Sequence, residues 1–301
     1  MIRQGLLSLY PENGSFMPWQ SGRRSRNVED RRGRRIPGGA KGGGIGILLL
    51  ALVGMYFGID PSVVLNVGNQ LNSGAATESS NYQPSAEENK LADFVAVVLG
   101  DTEHTWREEF RRRGDRYRDP VLVLFSGAVK SACGHAQAAM GPFYCPADQK
   151  VYIDLSFYHD LKYKMNAPGD FAQAYVIAHE VGHHVQNLLG ISDKVHAARQ
   201  RISEKEYNHL SVRLELQADC FSGVWENHAN RARQVVEPGD VDEALNATSQ
   251  IGDDRLQQQS RGYVTPDSFT HGTSEQRARW FRMGYNDGDM NSCNTFEARR
   301  L

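Results

Sequence analysis

Three residues in the stretch AYVIAHEVGHHVQNLLG, Ala174 to Gly190, have the types and spacing for metal chemistry. They are His179, Glu180 and His183, in the pattern His-Glu-x-x-His. Helix positions four apart share a face, so two such imidazoles can reach one ion. Zinc accepts histidine nitrogen at about 2.0–2.1 Å. Glu180 stands next to the first ligand, where it can reach a metal-bound water. A catalytic zinc lowers the pKa of that water to about 7, so a carboxylate can take its proton near neutral pH. Gly182 removes a side chain where a substrate backbone could approach. His184 points about 100° away from His183 and is read as no ligand.

The elements that must position these groups are legible around them. Pro168, Gly169 and Asp170 open the segment, with Asp170 as N-cap candidate, and Gly190 closes it. Ala174, Ile177, Ala178, Val181, Val185 and Leu188 make an apolar stripe that would bury the helix. Unpartnered His and Glu on so apolar a helix would be costly, which favours a site over incidental surface residues.

Catalytic zinc takes three protein ligands and keeps an open position. The third candidate lies in VRLELQADCFSGVW, where Leu214, Ala218, Phe221 and Trp225 keep helical register with Leu210 just before it. Glu215 and Asp219, four apart, share a face there. Glu215 would bind the metal. Asp219 would accept the second N–H of a ligand histidine and fix its tautomer.

These elements resemble the gluzincin arrangement of zinc peptidases. More closely, the chain resembles the bacterial membrane-anchored neutral zinc metallopeptidase family. The resemblance rests on NVEDRRG, GPFYCPADQKVYIDLSF, HEVGHHVQ, ELQADCFSGVW and SFTHGTSEQRARWFRMGY, and it covers nearly the whole chain from Met17. It implies hydrolysis of peptide bonds with Zn2+ as cofactor and Glu180 as general base. It also places KVYIDLSF like the edge strand that binds an extended peptide, which makes Tyr152 a substrate-binding candidate. SFTHGTSEQR is placed like a segment that supplies a transition-state histidine, here His271.

Composition sets the frame. The 301 residues carry a formal charge of -2 and 23% charged residues, ordinary for a globular protein. The charge is unevenly spread, with eight basic residues against Glu29 and Asp30 between Met17 and Lys41. The chain from Asp60 onward sums to -8. Between these parts Gly42–Ile59 is uncharged and apolar, at the short end for a membrane-spanning helix. Arg31, Arg32, Arg34 and Arg35 before it would hold the N-terminus in the cytoplasm. Topology explains the basic flank better than nucleic-acid binding does.

The expected organisation is a basic cytoplasmic tail (1–41), a transmembrane helix (42–59), a Ser/Asn/Gly-rich flexible linker (60–86) and a zinc metallopeptidase domain (87–301). The fold class is α+β, mainly helical with a small β-sheet. The expected location is the inner (cytoplasmic) membrane, with the catalytic domain periplasmic or extracellular. The four cysteines contain no Cys-x-x-Cys pair. In an exported domain they suggest two disulfides, Cys133–Cys145 and Cys220–Cys293. The expected partners are a peptide or protein substrate and the membrane. Two other readings stay open: a tethered scaffold protein with a structural zinc, and an amidase acting on cell-wall peptide cross-links.

Overall fold

The computed structural model describes residues 22–34, 82–137, 141–233 and 239–301. In chain order the elements are β1 (Val28–Asp30), α1 (Ala86–Arg112), β2 (Val121–Phe125), β3 (Ala128–Ser131), β4 (Gly134–Gln137), β5 (Phe143–Cys145) and β6 (Lys150–Asp154). Helices α2 (Ser156–Tyr163), α3 (Asp170–Leu188), α4 (Ile191–Ala198), α5 (Glu204–Arg233), α6 (Asp240–Gln250), α7 (Asp253–Arg261) and α8 (Ser274–Asp287) follow. The fold is mainly helical with small sheets, in the α+β class. The apolar run 42–59 and residues 35–41 and 60–81 lie outside the described residues. No described helix is long and apolar enough to cross a membrane.

The main sheet has the order β1-β2-β6-β5. β1, β2 and β6 are parallel, and β5 runs antiparallel at one edge. Leu122, Leu124, Val151 and Ile153 face the main core with α1 and α3. Val123, Phe125 and Tyr152 face the other way, into a small cluster with Val129 of β3 and Ala136 of β4. The sheet is therefore buried on both faces around β6.

This corrects the reading of KVYIDLSF as an edge strand. β6 lies between β2 and β5, so its backbone groups are already paired. Tyr152 is 1% exposed, stacks on Phe143 and donates its hydroxyl to Asp148, 2.7 Å away. It is a packing residue, not a substrate contact. The alternation in the sequence was genuine, but the second face meets a hairpin rather than water.

The N-terminal flank needs a second correction. Contacts place residues 22–32 in one unit with 84–301. Val28, Glu29 and Asp30, expected in a separate tail, pair in register with Leu122, Val123 and Leu124. The domain is thus built from two stretches of chain, because the edge of β2 is completed by β1.

Helix α1 starts at a capping box, with Ser85 and Glu88 satisfying each other's backbone N–H. Its buried face carries Val95, Val98, Leu99, Trp106 and Phe110 at helical spacing. The disulfides join Cys133 to Cys145 and Cys220 to Cys293, with Cα separations of 5.8 and 5.6 Å. The second ties α5 to the turn Met290–Cys293.

Candidate metal centre

The centre forms where α3 crosses α5. A Cβ on Gly182 would lie 3.0 Å from the backbone oxygen of Ala218. Gly182 therefore lets the two helices approach closely, and this role replaces the expected one of leaving room for substrate. The approach brings Glu215 against the two histidines. His179 Nε2 is 3.3 Å from Glu215 Oε2, and His183 Nε2 is 3.5 Å from Glu215 Oε1. One ligand atom from each of the three residues lies within 4.8 Å of the others.

Each imidazole is oriented from behind. His179 Nδ1–H donates to Asp219 Oδ1 at 2.9 Å. His183 Nδ1–H donates to Gln186 Oε1 at 2.9 Å. Gln186 is itself held, donating to the Leu214 carbonyl at 2.6 Å and to Gln217 at 3.1 Å. With both Nδ1 atoms occupied, both Nε2 lone pairs converge on Glu215. Two nitrogens, each oriented from behind, and one carboxylate fit a zinc ion.

Asp219 is the hub of a buried polar cluster. Arg277 on α8 is 2% exposed and Asp219 is 0% exposed. The guanidinium donates to Asp219 through Nε and Nη2, both at 2.9 Å. Tyr175 adds its hydroxyl to Asp219 Oδ1 and accepts from Arg277 Nη2 at 3.1 Å. Helix α8 reaches this depth through a close crossing on α5. A Cβ on Gly284 would sit 1.9 Å from the Cys220 oxygen. Arg277 thus stands behind the ligand His179, against Asp219 and Tyr175.

The electrostatics follow from these contacts. Burial would raise Asp219, but Arg277 and His179 outweigh it and hold the carboxyl below its usual range. Burial likewise works against Glu215, yet the two histidines hold it well below 4.5. Burial would lower His179, but the charge and hydrogen bond of Asp219 raise it to about 9. Protons and a cation compete for these same lone pairs, so the site binds metal better as pH rises.

Glu180 is 8% exposed, and burial raises its pKa against the opposing pull of His183 and His179. Among the described residues no side chain hydrogen-bonds its carboxylate, which leaves its oxygens available to water. His184 is fully occupied elsewhere. Its Nε2–H donates to the Arg118 carbonyl at 2.6 Å, and its Nδ1 accepts from Tyr144 at 2.9 Å. Burial lowers its pKa to about 4.

His271 lies on the loop before α8. A Cβ on Gly272, at φ +90°, would meet Val212 and Leu216 of α5 at 3.2 and 3.3 Å. The loop thus rests on α5 beside Glu215, and the charges of His271 and Glu215 act on each other. Asp253 organises it. Its Oδ2 accepts backbone N–H groups from Thr270, His271 and Gly272 at 2.8, 2.6 and 3.0 Å. Its Oδ1 faces His271 Nδ1 at 3.2 Å. Burial lowers the His271 pKa, but the hydrogen bond and charge of Asp253 together with the charge of Glu215 outweigh this and raise it.

Asp253, Gln186 and Tyr175 had no part in the sequence reading. Gln186 had a signal, since it stands three residues after His183 on the same helix. Asp253 had none, because nothing in the spacing links it to His271. A second acidic group, Asp170, Asp240 and Glu243, also lies within 4.8 Å. Asp170 and Asp240 open α3 and α6, and Glu243 accepts the Phe171 N–H, a usual place for acids.

Residues 17–296 match the family described as "Putative neutral zinc metallopeptidase". "Uncharacterized protein YpfJ" of Escherichia coli strain K12 is 51% identical over 291 residues, covering 93% of this chain and 99% of its own. "Uncharacterized protein Rv2575" of Mycobacterium tuberculosis strain H37Rv is 38% identical over 261 residues, covering 82% of this chain and 86% of its own. No solved structure matches the chain. With the match spanning almost its full length, the chain belongs to this zinc metallopeptidase family.

Proposed function

We propose that the chain hydrolyses peptide bonds at the His179–His183–Glu215 centre. The observation that carries this reading is the convergence of both Nε2 atoms on Glu215 with Glu180 buried beside them, its carboxylate without a side-chain hydrogen-bond partner among the described residues. Zinc held by these three residues would supply a Lewis acid for the scissile carbonyl and for the attacking water. Glu180 accepts the proton of that water on its carboxylate and returns it to the leaving nitrogen. Asp219 and Gln186 keep the two imidazoles in one tautomer and one orientation throughout.

His271 donates to the carbonyl oxygen as charge builds on it. With Nδ1–H committed to Asp253, its other nitrogen carries a proton in the imidazolium form. The free sheet edge beside α3 is β5, whose Tyr144 hydroxyl contacts His184 and Asn187 of α3. An extended substrate would pair there, in place of the expected β6. Two disulfides support an oxidising compartment for the domain.

The test is incubation of the zinc-loaded full chain with a mixed peptide library, read by mass spectrometry. Cleavage that is lost with a chelator and restored with zinc supports the proposal. Absence of cleavage across the library, at full zinc occupancy, overturns it.

A further inference from the structure

A basic flank followed by an apolar run reads as a topology signal when nothing else engages the arginines. Here the described residues supply other partners. Arg23 reaches Glu103 of α1 at 3.0 Å, and Arg24 pairs with Asp93. Arg31 pairs with Glu29, which also binds Lys150 of β6 at 2.7 Å. Arg32 donates to the Glu88 carbonyl at 3.0 Å and to Asn89 at 3.3 Å. The basic flank and the acidic domain are therefore complementary to each other.

The flank is seated, not draped. Glu103 is 1% exposed in the middle of α1 and accepts from Arg23, Ser25 and Asn27. Without the flank that buried carboxylate would keep Arg107 at 3.6 Å as its cation, a costly position for a charge. A Cβ on Gly100 would sit 2.4 Å from the Arg23 backbone oxygen, so α1 has a notch for this backbone. Backbone bonds continue the seat: Ser25 N–H to Ala96, Leu122 N–H to Asn27, and Arg31 N–H to Leu124, each 2.8 Å.

The chain also departs and returns at one place. A Cβ on Gly33 would lie 2.3 Å from the Tyr82 ring. Strand hydrogen bonds cannot form across a hydrocarbon core about 30 Å thick. We infer that residues 22–32 and the domain from Pro84 onward lie on the same side of any membrane. A single-pass, N-in topology would put these two stretches on opposite sides. Because both disulfides lie in the unit that β1 completes, the arginine flank shares their oxidising compartment.

Two full-length variants test this, each with one new cysteine at an exposed position, Arg26→Cys or Arg299→Cys. The native cysteines are all in disulfides. A membrane-impermeant maleimide is applied to right-side-out membranes from expressing cells, and labelling is normalised to detergent-solubilised samples. The inference expects both positions to label to the same extent from outside. Arg26→Cys protected while Arg299→Cys labels, or the reverse, overturns it. Protection of both would uphold the shared side and overturn the oxidising compartment. The outcome does not depend on the proposed peptidase activity.

Discussion

The two walls of the candidate site are built differently. Behind the ligands, Asp219 and Arg277 are joined by two hydrogen bonds of 2.9 Å and are almost completely buried. On the loop before α8 the His271 side chain is 43% exposed, and its ring is held by Asp253 at 3.2 Å. Buried, doubly tied groups hold one geometry because every alternative leaves a charge unpaired. A half-exposed ring on a loop can shift by a rotamer at little cost. On the proposed function, the contrast separates a platform that would keep the metal from a wall that would meet the substrate. Damage to the first should appear in metal affinity and stability, and damage to the second in kcat.

The largest effect on rate is expected from Glu180→Gln, which keeps the shape and removes the base. Hydrolysis should fall by about 10²–10⁴-fold, while metal analysis still finds about one zinc per chain, the complement of a catalytic site. Loss of zinc in this variant would move Glu180 into the ligand set and blur the two walls.

His271→Ala should lower kcat by about 10²–10³-fold if the ring is a full oxyanion donor. Zinc content and melting temperature should stay at the wild-type level. Unchanged kcat would reduce this wall to a cap on α8, whose own capping box uses Thr273 and Gln276.

Asp219→Ala should weaken zinc binding by about 10–100-fold in chelator competition. It should also destabilise the fold by about 3–5 kcal/mol, because Arg277 is left buried without its carboxylate. Adding Arg277→Met to the same chain should recover part of that stability but not the zinc affinity. Recovery of both would show that Asp219 serves the fold alone.

The smallest expected effect is a change in the shape of the pH profile. Burial raises Glu180, so kcat/KM should rise with pH along an acid limb lying above 4.5. Asp253 raises His271, so the limb on which activity falls should lie above 6.5. His271→Ala should lose that upper limb and keep the lower one. A profile unaltered by the substitution would remove the imidazolium from the mechanism.

Much of the platform was legible because it obeys local spacing. His179, His183, Glu215 and Asp219 each sit four residues from a partner on one helix, and helical geometry converts that spacing into a shared face. The cysteine pairing also followed from loop lengths. What failed depended on neighbours distant in sequence. Alternation in β6 could not reveal that the hairpin β3–β4 covers its second face. Gly182 looked like space for a substrate, but the space is filled by Ala218. Arg23 and Arg24 were counted only as part of a basic flank because their acidic partners, Glu103 and Asp93, lie 80 and 69 residues further on. Asp253 was invisible because it acts on the backbone of 270–272, which any residues could supply.

The central claim is a three-ligand centre made by α3 and α5. X-ray absorption spectroscopy on the zinc-loaded full chain tests it most directly, with Glu215→Ala as the comparison. The account expects nitrogen and oxygen neighbours at about 2.0–2.2 Å, two of them imidazole, with no sulfur shell. Glu215→Ala should lose the ion or bind it with a changed oxygen shell. Four protein ligands around the zinc, or a spectrum identical in Glu215→Ala, would contradict the account and favour a structural metal.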